Sequence, residues 1–262
     1  MIVTKNLNLQ NRIALISGAS AGIGEAILRD LAFHGVRCVA NARRVDKLQE
    51  IAAQLNAEQE LVVPVVGDVS DEQVIVAMGT AAREKFGRDA DLVIVNAGRG
   101  LPGSIVTSDT KEWEAMLRTN VLGAFLLMRH AAQTMQATVK AEGMLKRPLD
   151  IVVLGSCVGR NVAHKSTPYS ASKFAVNSAA EGLRRELCKE GIRVSLVEPG
   201  VVRTEFHVTG KYGENFYDEW ADNNGPLIDS DDVARVITFI VSQPPHVHLH
   251  DAAIRSVFQE YP

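Results

Sequence analysis

Apolar residues in this chain gather into short β-branched runs separated by stretches with helical spacing. The runs are Ile13 to Ser17, Arg37 to Ala42, Leu61 to Asp68, Asp91 to Ala97, Asp150 to Ser156 and Arg193 to Glu198. Within them Val, Ile and Leu follow one another instead of alternating with polar residues, so both faces of the sheet they form are covered. The rhythm is βαβ, and it predicts a Rossmann-like three-layer α/β/α fold around a parallel, seven-stranded sheet. A seventh run, Ala253 to Phe258, either adds an edge strand or serves a subunit contact. Long helical patterns cover Asp109 to Gln136 and Tyr169 to Lys189, and Lys140 to Pro148 reads as a local insertion. No repeat or linker divides the sequence, so residues 1–262 are expected to form a single domain.

Bulk properties narrow the function classes. A formal charge of -3, from 28 basic and 31 acidic residues, gives no electrostatic reason for a nucleic-acid or membrane partner. The partner implied is a small molecule. Cys38, Cys157 and Cys188 are an odd set without a Cys-x-x-Cys pair, which suits a reducing compartment. The segment Met1 to Arg12 lacks an apolar core and a cleavage site, and no run approaches the roughly 20 apolar residues of a membrane span. The expected location is cytoplasmic.

The first strand runs into Ser17-Gly18-Ala19-Ser20-Ala21-Gly22-Ile23-Gly24, and helical spacing follows from Glu25. Glycines there allow a tight turn and close backbone approach to a pyrophosphate, whose charge the helix amino end favours. Gly18, Ser20, Gly22, Ile23 and Gly24 are therefore candidate cofactor contacts. A plain tight βα turn would also account for them. After the second strand, where a carboxylate would hold an adenosine ribose, stands Asn41-Ala42-Arg43-Arg44. Arg43 and Arg44 suit a 2′-phosphate, which favours NADP(H) over NAD(H). The alternative is a solvated basic turn with Asp46 as local partner. Asp68 either accepts from the adenine amine or caps the helix that follows Val69.

Tyr169 and Lys173 stand four residues apart, on one helix face with Cβ atoms about 5–6 Å apart. A phenol near pKa ~10 is a poor base at neutral pH, and a fixed ammonium favours its phenolate. An oxidised nicotinamide adds to that effect. Ser156 closes the fifth strand, on the edge where parallel sheets bind ligands, and could steady a developing alkoxide. Asn120 is a poor helix former inside a helical pattern, and holding a water that relays a proton to Lys173 would explain it.

These motifs, in this order, closely resemble the short-chain dehydrogenase/reductase family over nearly the whole chain. The family's Thr-Gly-x-x-x-Gly-x-Gly loop matches Ser17 to Gly24, its Asn-Ala-Gly matches Asn96-Ala97-Gly98, and its tetrad matches Asn120, Ser156, Tyr169 and Lys173. Its Pro-Gly turn matches Pro199-Gly200. The resemblance implies a hydride-transferring enzyme with Tyr169 as general acid or base. It also implies that Val202 and Thr204 touch the nicotinamide carboxamide and that Lys173 holds the nicotinamide ribose. Ser17 for Thr and Val95 for the first Asn of the common Asn-Asn-Ala-Gly are departures that remove no catalytic atom. The Arg43-Arg44 pair and the tail from Pro244 further resemble reductases of small 3-hydroxy acids, aldehydes and ketones. A homodimer or homotetramer, joined through the helices of Asn120 and Tyr169, is also implied.

The segment 201–228 carries Phe206, Tyr212, Phe216, Tyr217 and Trp220. It reads as a lid over the substrate, or equally as a loop packed on a neighbouring subunit. Arg160, His164, His207 and Lys211 are candidates for a substrate anion. His246, His248 and His250 alternate as on one face of an exposed strand, and without carboxylate or Cys support no metal is expected. Two rival functions are a nucleotide-sugar epimerase, for which the region after Gly200 is expected to be too short, and a non-catalytic NADP-sensing protein. The sensor would not need Ser156, Tyr169 and Lys173 together.

Overall fold

A computed structural model of the chain describes residues 7–210, 212–213 and 215–261. The first half contains β1 (Ile13–Ser17), α1 (Gly22–Phe33), β2 (Arg37–Ala42), α2 (Val45–Leu55), β3 (Val62–Val66), α3 (Glu72–Phe86), β4 (Leu92–Val95) and α4 (Trp113–Leu117). Next come α5 (Ala124–Glu142), β5 (Asp150–Leu154), α6 (Thr167–Leu187) and β6 (Arg193–Pro199). The last part holds β7 (Val202–Arg203), α7 (Phe206–Thr209), α8 (Phe216–Asn224), β8 (Ile228–Asp229), α9 (Ser230–Val241) and β9 (Asp251–Ile254).

The main sheet is parallel and seven-stranded, in the order β3-β2-β1-β4-β5-β6-β9. Successive residues serve opposite faces, which explains the unbroken apolar runs. Ile16, Ile94 and Val152 pack with Leu28, Leu31 and Ile237 of α1 and α9. Their neighbours Leu15, Val93 and Val153 pack with Met78, Leu127 and Val176 of α3, α5 and α6. Strand order reverses between β1 and β4, so a crevice opens there beyond the carboxyl ends.

Several boundaries differ from expectation. The seventh run is an edge strand on β6, displaced to Asp251–Ile254. The pattern from Asp109 to Gln136 is not one helix: a 3-10 turn (Thr110–Glu112) and α4 precede a π-turn at Arg118–Gly123, and α5 then runs on to Glu142. Half of the supposed insertion after Lys140 is thus helical or its cap, ended by Gly143. His246, His248 and His250 lie in a turn and coil before β9 rather than on a strand. His248 faces the Val194 carbonyl, and among the described residues no group of three His, Cys, Asp or Glu side chains could hold a metal.

At the amino end of the sheet, Arg12 pairs with Asp91 (2.9 Å) and Asp150 (2.8 Å), and Arg193 with Asp150 (2.7 Å). All four are buried. Arg12 Nη1 and Arg193 Nη2 also donate to the Val241 carbonyl at the end of α9, so the network ties strand starts to a helix end. Among the described residues no helix is long and apolar enough to cross a membrane.

Candidate active site

The glycine loop lies between β1 and α1 at the crevice. Gly18 has φ +68°, a conformation that L side chains rarely adopt. A Cβ on Gly24 would lie 2.2 Å from the Gly18 carbonyl oxygen and 2.4 Å from Asn96 Nδ2, so the turn closes only without one. Ala21 at the α1 N-cap supplies no side-chain cap. The helix start therefore keeps its positive end for a ligand anion, and the cradle fits a pyrophosphate. The Ile23 side chain packs against the core, which leaves its backbone N–H in the first turn of α1.

Asn96 and Ala97 turn out to be braces of this loop. Asn96 Nδ2 donates to the Ser17 carbonyl (2.9 Å), and the Ser17 hydroxyl accepts from Asn96 N and Ala97 N while donating to the Ile94 carbonyl. The hydroxyl is the working group, which is why Ser serves where Thr is usual. Val69 packs under Gly123 of the π-turn, so only its backbone can face a nucleotide.

Asp68 does not cap α3; Asp71 does, accepting from Gln73 N at 2.9 Å. Asp68 closes its own turn by accepting from Ser70 N, and its carboxylate lies 3.8 Å from Arg43 Nη1. Burial alone would raise its pKa, but the Ser70 hydrogen bonds and the Arg43 charge hold it below the ordinary value. Arg44 does not pair with Asp46. It donates to the Ser20 carbonyl (3.0 Å), the Ser20 hydroxyl (3.2 Å) and the carboxylate of Glu205 (2.8 Å). Lys47, one turn into α2, binds the same carboxylate at 2.7 Å. Lys47 was missed although it stands three residues beyond Arg44, and Glu205 arrives from a segment 161 residues from Arg44 with no local signal.

The four tetrad positions converge at the carboxyl edge. Ser156 is buried just beyond β5, accepting from Val158 N and donating to the Pro199 carbonyl. Tyr169 and Lys173 share a face of α6, with Lys173 Nζ 6.0 Å from the phenol ring centroid. Burial pushes the Tyr169 phenol well above its ordinary pKa, Tyr212 adds to this, and the Ser156 hydroxyl hydrogen bond opposes it. Burial draws Lys173 down to about 8, and its ammonium donates to the Leu154 carbonyl at 2.8 Å. At neutral pH the site thus presents a protonated phenol beside a cation held on β5.

Asn120 sits in the π-turn, and its amide makes three hydrogen bonds: Oδ1 accepts from Arg99 N (2.8 Å), while Nδ2 donates to the Arg99 carbonyl (2.9 Å) and Ser172 Oγ (3.0 Å). The helix irregularity aims this side chain across to α6 and the segment after Gly98. These bonds make the amide a brace between α6 and the segment after Gly98.

The region after Pro199-Gly200 folds back over the crevice. A Cβ on Gly22 would lie 3.2 Å from Thr204, so this segment rests on the glycine loop. Tyr217 Oη accepts from Thr204 N (3.1 Å), and Val202 pairs with Ile228. Phe206 lies 5.6 Å from the Tyr169 ring, Tyr212 stacks on Phe206, and Phe216 packs against Tyr212, Tyr217 and Trp220. The aromatics thus run outward from the Tyr169 phenol within the same chain. Gln259 buttresses the turn from the carboxyl-terminal segment, accepting from Val201 N at 3.1 Å. Of the anion candidates, Arg160 is bound to Glu198 and Asp251, His207 to the Thr204 carbonyl, and His164 lies beside Tyr261. Lys211 lies outside the described residues.

Comparison with known proteins gives a consistent picture. The short chain dehydrogenase family profile matches residues 12–213. An uncharacterized oxidoreductase of Staphylococcus saprophyticus is 31% identical over 96% of this chain and 100% of its own length. Dehydrogenase/reductase SDR family member 11 of Gallus gallus is 32% identical, covering 95% of this chain and 97% of itself. Among solved structures, an alcohol dehydrogenase of Thermococcus sibiricus complexed with 5-hydroxy-NADP superposes with TM-score 0.80 at 26% identity, over 96% and 99% of the two chains. The 3-ketoacyl-(acyl-carrier-protein) reductase of Brucella melitensis, complexed with NADH, gives 0.82 at 26% identity, over 94% and 97%.

Proposed function

Because this chain belongs to the short-chain dehydrogenase/reductase family, as the profile match over residues 12–213 establishes, we propose that it is an NADP(H)-dependent oxidoreductase. Its substrate is the alcohol or carbonyl form of a small aldehyde, ketone or 3-hydroxy acid. The observation that carries the reading is the convergence of Ser156, Tyr169 and Lys173 at the crevice, with the phenol held protonated by burial. A protonated phenol is the acid that carbonyl reduction needs.

When bound, the nicotinamide supplies or accepts the hydride. Gly18, Ser20, Gly22 and Gly24 would hold the pyrophosphate, with Asn96 and Ala97 bracing the loop behind them and Gly98 following. Val202, Thr204 and the Pro199-Gly200 turn flank the nicotinamide end. Ser156 hydrogen-bonds the substrate oxygen and Tyr169 gives it the proton; Lys173 favours the phenolate left behind and meets the nicotinamide ribose. The preference for NADP(H) is supported by Arg43 and Arg44, which follow β2 directly where a ribose-binding carboxylate would stand, and by Lys47 in the first turn of α2. One solved relative carries an NADP analogue and another NADH, so the cations of this chain carry that argument. Residues 201–228 act as the lid of a single catalytic domain, their aromatics excluding water from the phenol.

Exposed Leu117, Leu122, Phe125 and Phe174 on α4, the π-turn, α5 and α6 support assembly through these helices into a dimer or tetramer. Three free cysteines support a reducing, cytoplasmic setting.

The experiment is to follow NADPH absorbance against a panel of aldehydes, ketones and ketoacids with the natural chain and Tyr169→Phe. A drop of about 10²–10⁴ in kcat with cofactor affinity retained is expected. Cofactor binding without turnover on any panel member would favour an NADP-sensing role, and full activity of the variant would exclude Tyr169 as the acid.

A further inference from the structure

Two of the cations assigned to the 2′-phosphate, Arg44 and Lys47, already have an anionic partner, and it is carried by the lid. Glu205 follows Thr204 immediately and stands at the head of α7. Its two carboxylate oxygens accept separately, one from Arg44 Nη1 at 2.8 Å and one from Lys47 Nζ at 2.7 Å. The same guanidinium reaches the glycine loop through Ser20. One carboxylate therefore bridges two cations of α2 and its cap, and one arginine joins lid to glycine loop. To an Arg fork and a Lys point charge, a carboxylate and a phosphate monoester offer the same kind of acceptors.

We propose that Glu205 competes with the 2′-phosphate of NADP(H) for Arg44 and Lys47, and thereby sets how strongly this enzyme discriminates NADP(H) from NAD(H). The inference rests on the NADP(H) reading above and names the residue that tunes it. NADP(H) has to displace or rearrange the carboxylate, whereas NAD(H) leaves both ion pairs in place. The exchange is accessible because the side chains of Arg44, Lys47 and Glu205 are 42%, 49% and 48% exposed, and ion pairs this open are individually weak. The more highly charged phosphate, once bound, gains both cations and faces one remaining negative charge nearby. Glu205 is thus a brake on NADP(H) affinity rather than part of its binding set.

The test compares equilibrium binding of NADPH and NADH, by calorimetry, for wild type, Glu205→Gln, Glu205→Ala and Arg44→Ala, with thermal melting to confirm folding. Both Glu205 variants are expected to lower the Kd for NADPH about fivefold, the scale of one or two exposed ion pairs, and to leave NADH within about twofold. Their NADPH affinity should also fall more steeply with salt, since the freed cations act on the phosphate alone. Arg44→Ala is expected to weaken NADPH selectively. If Arg44→Ala does so but both Glu205 variants bind NADPH as wild type does or more weakly, the competition is wrong and the NADP(H) reading stands. If wild type and Arg44→Ala both bind the two cofactors equally, the NADP(H) reading falls and the competition with it.

Discussion

Lys173 carries a cost that can be measured without any substrate. Burial lowers it from 10.5 to about 8, and at roughly 1.4 kcal/mol per pH unit, keeping its ammonium at pH 7 takes about 3 kcal/mol from the stability of the fold. Between pH 8 and 10.5 the unfolded chain holds this proton and the folded chain does not, so the penalty fades as pH rises and is complete below the folded value. Lys173→Met removes it, and also removes the hydrogen bond to the Leu154 carbonyl, worth about 1 kcal/mol. The variant should therefore be about 2 kcal/mol more stable than wild type at pH 7 while losing turnover. Its advantage should shrink steadily toward pH 9.5. Urea unfolding at pH 7, 8, 9 and 9.5 reads the difference, without cofactor because binding adds its own stability. The range stops below the phenol titration of Tyr169, and thiol ionisation affects both proteins alike. A variant less stable than wild type at pH 7, or an advantage independent of pH, would refute the desolvation argument.

Two further outcomes follow from packing. Gly24→Ala forces a methyl to 2.2 Å from the Gly18 carbonyl oxygen; it should weaken NADPH binding at least about tenfold and cost about 1–3 kcal/mol, measured by cofactor titration and melting. Wild-type affinity in that variant would mean the loop is looser than its geometry. Arg12→Met strips one cation from buried Asp91 and Asp150. Because Arg88 and Arg193 still face those carboxylates, the loss should sit near about 3 kcal/mol in urea unfolding, and a loss under about 1 kcal/mol would show that the remaining arginines suffice.

The sheet was legible because each central strand is buried on both sides, and that requirement writes itself into consecutive Val, Ile and Leu. The active centre was legible because its parts are local: a glycine loop at a strand end, a phenol and an ammonium one helical turn apart, a serine closing β5. Elsewhere the local pattern was not enough to assign a side chain its partner. That the Asn120 amide ties Arg99 to Ser172 showed only in the fold. Asp68 offered a plausible cap, but the chain turns once more and Asp71 takes that place. Arg160 and His207 were candidates for a substrate anion, but Arg160 is engaged by the distant Glu198 and Asp251, and His207 by the Thr204 carbonyl three residues before it.

The sequence by itself determined the parallel sheet, the glycine loop and the placing of Tyr169 and Lys173 on one helix face, because periodicity, glycine spacing and an i, i+4 pair are set by neighbours along the chain. Only the tertiary structure decided that Glu205 sits on Arg44 and Lys47, that Gln259 braces the Pro199-Gly200 turn, and that Arg12, Asp91, Asp150 and Arg193 form one buried network. Those contacts exist because folding brings strand ends and returning segments together, and charge pairing across such distances leaves no trace in local pattern.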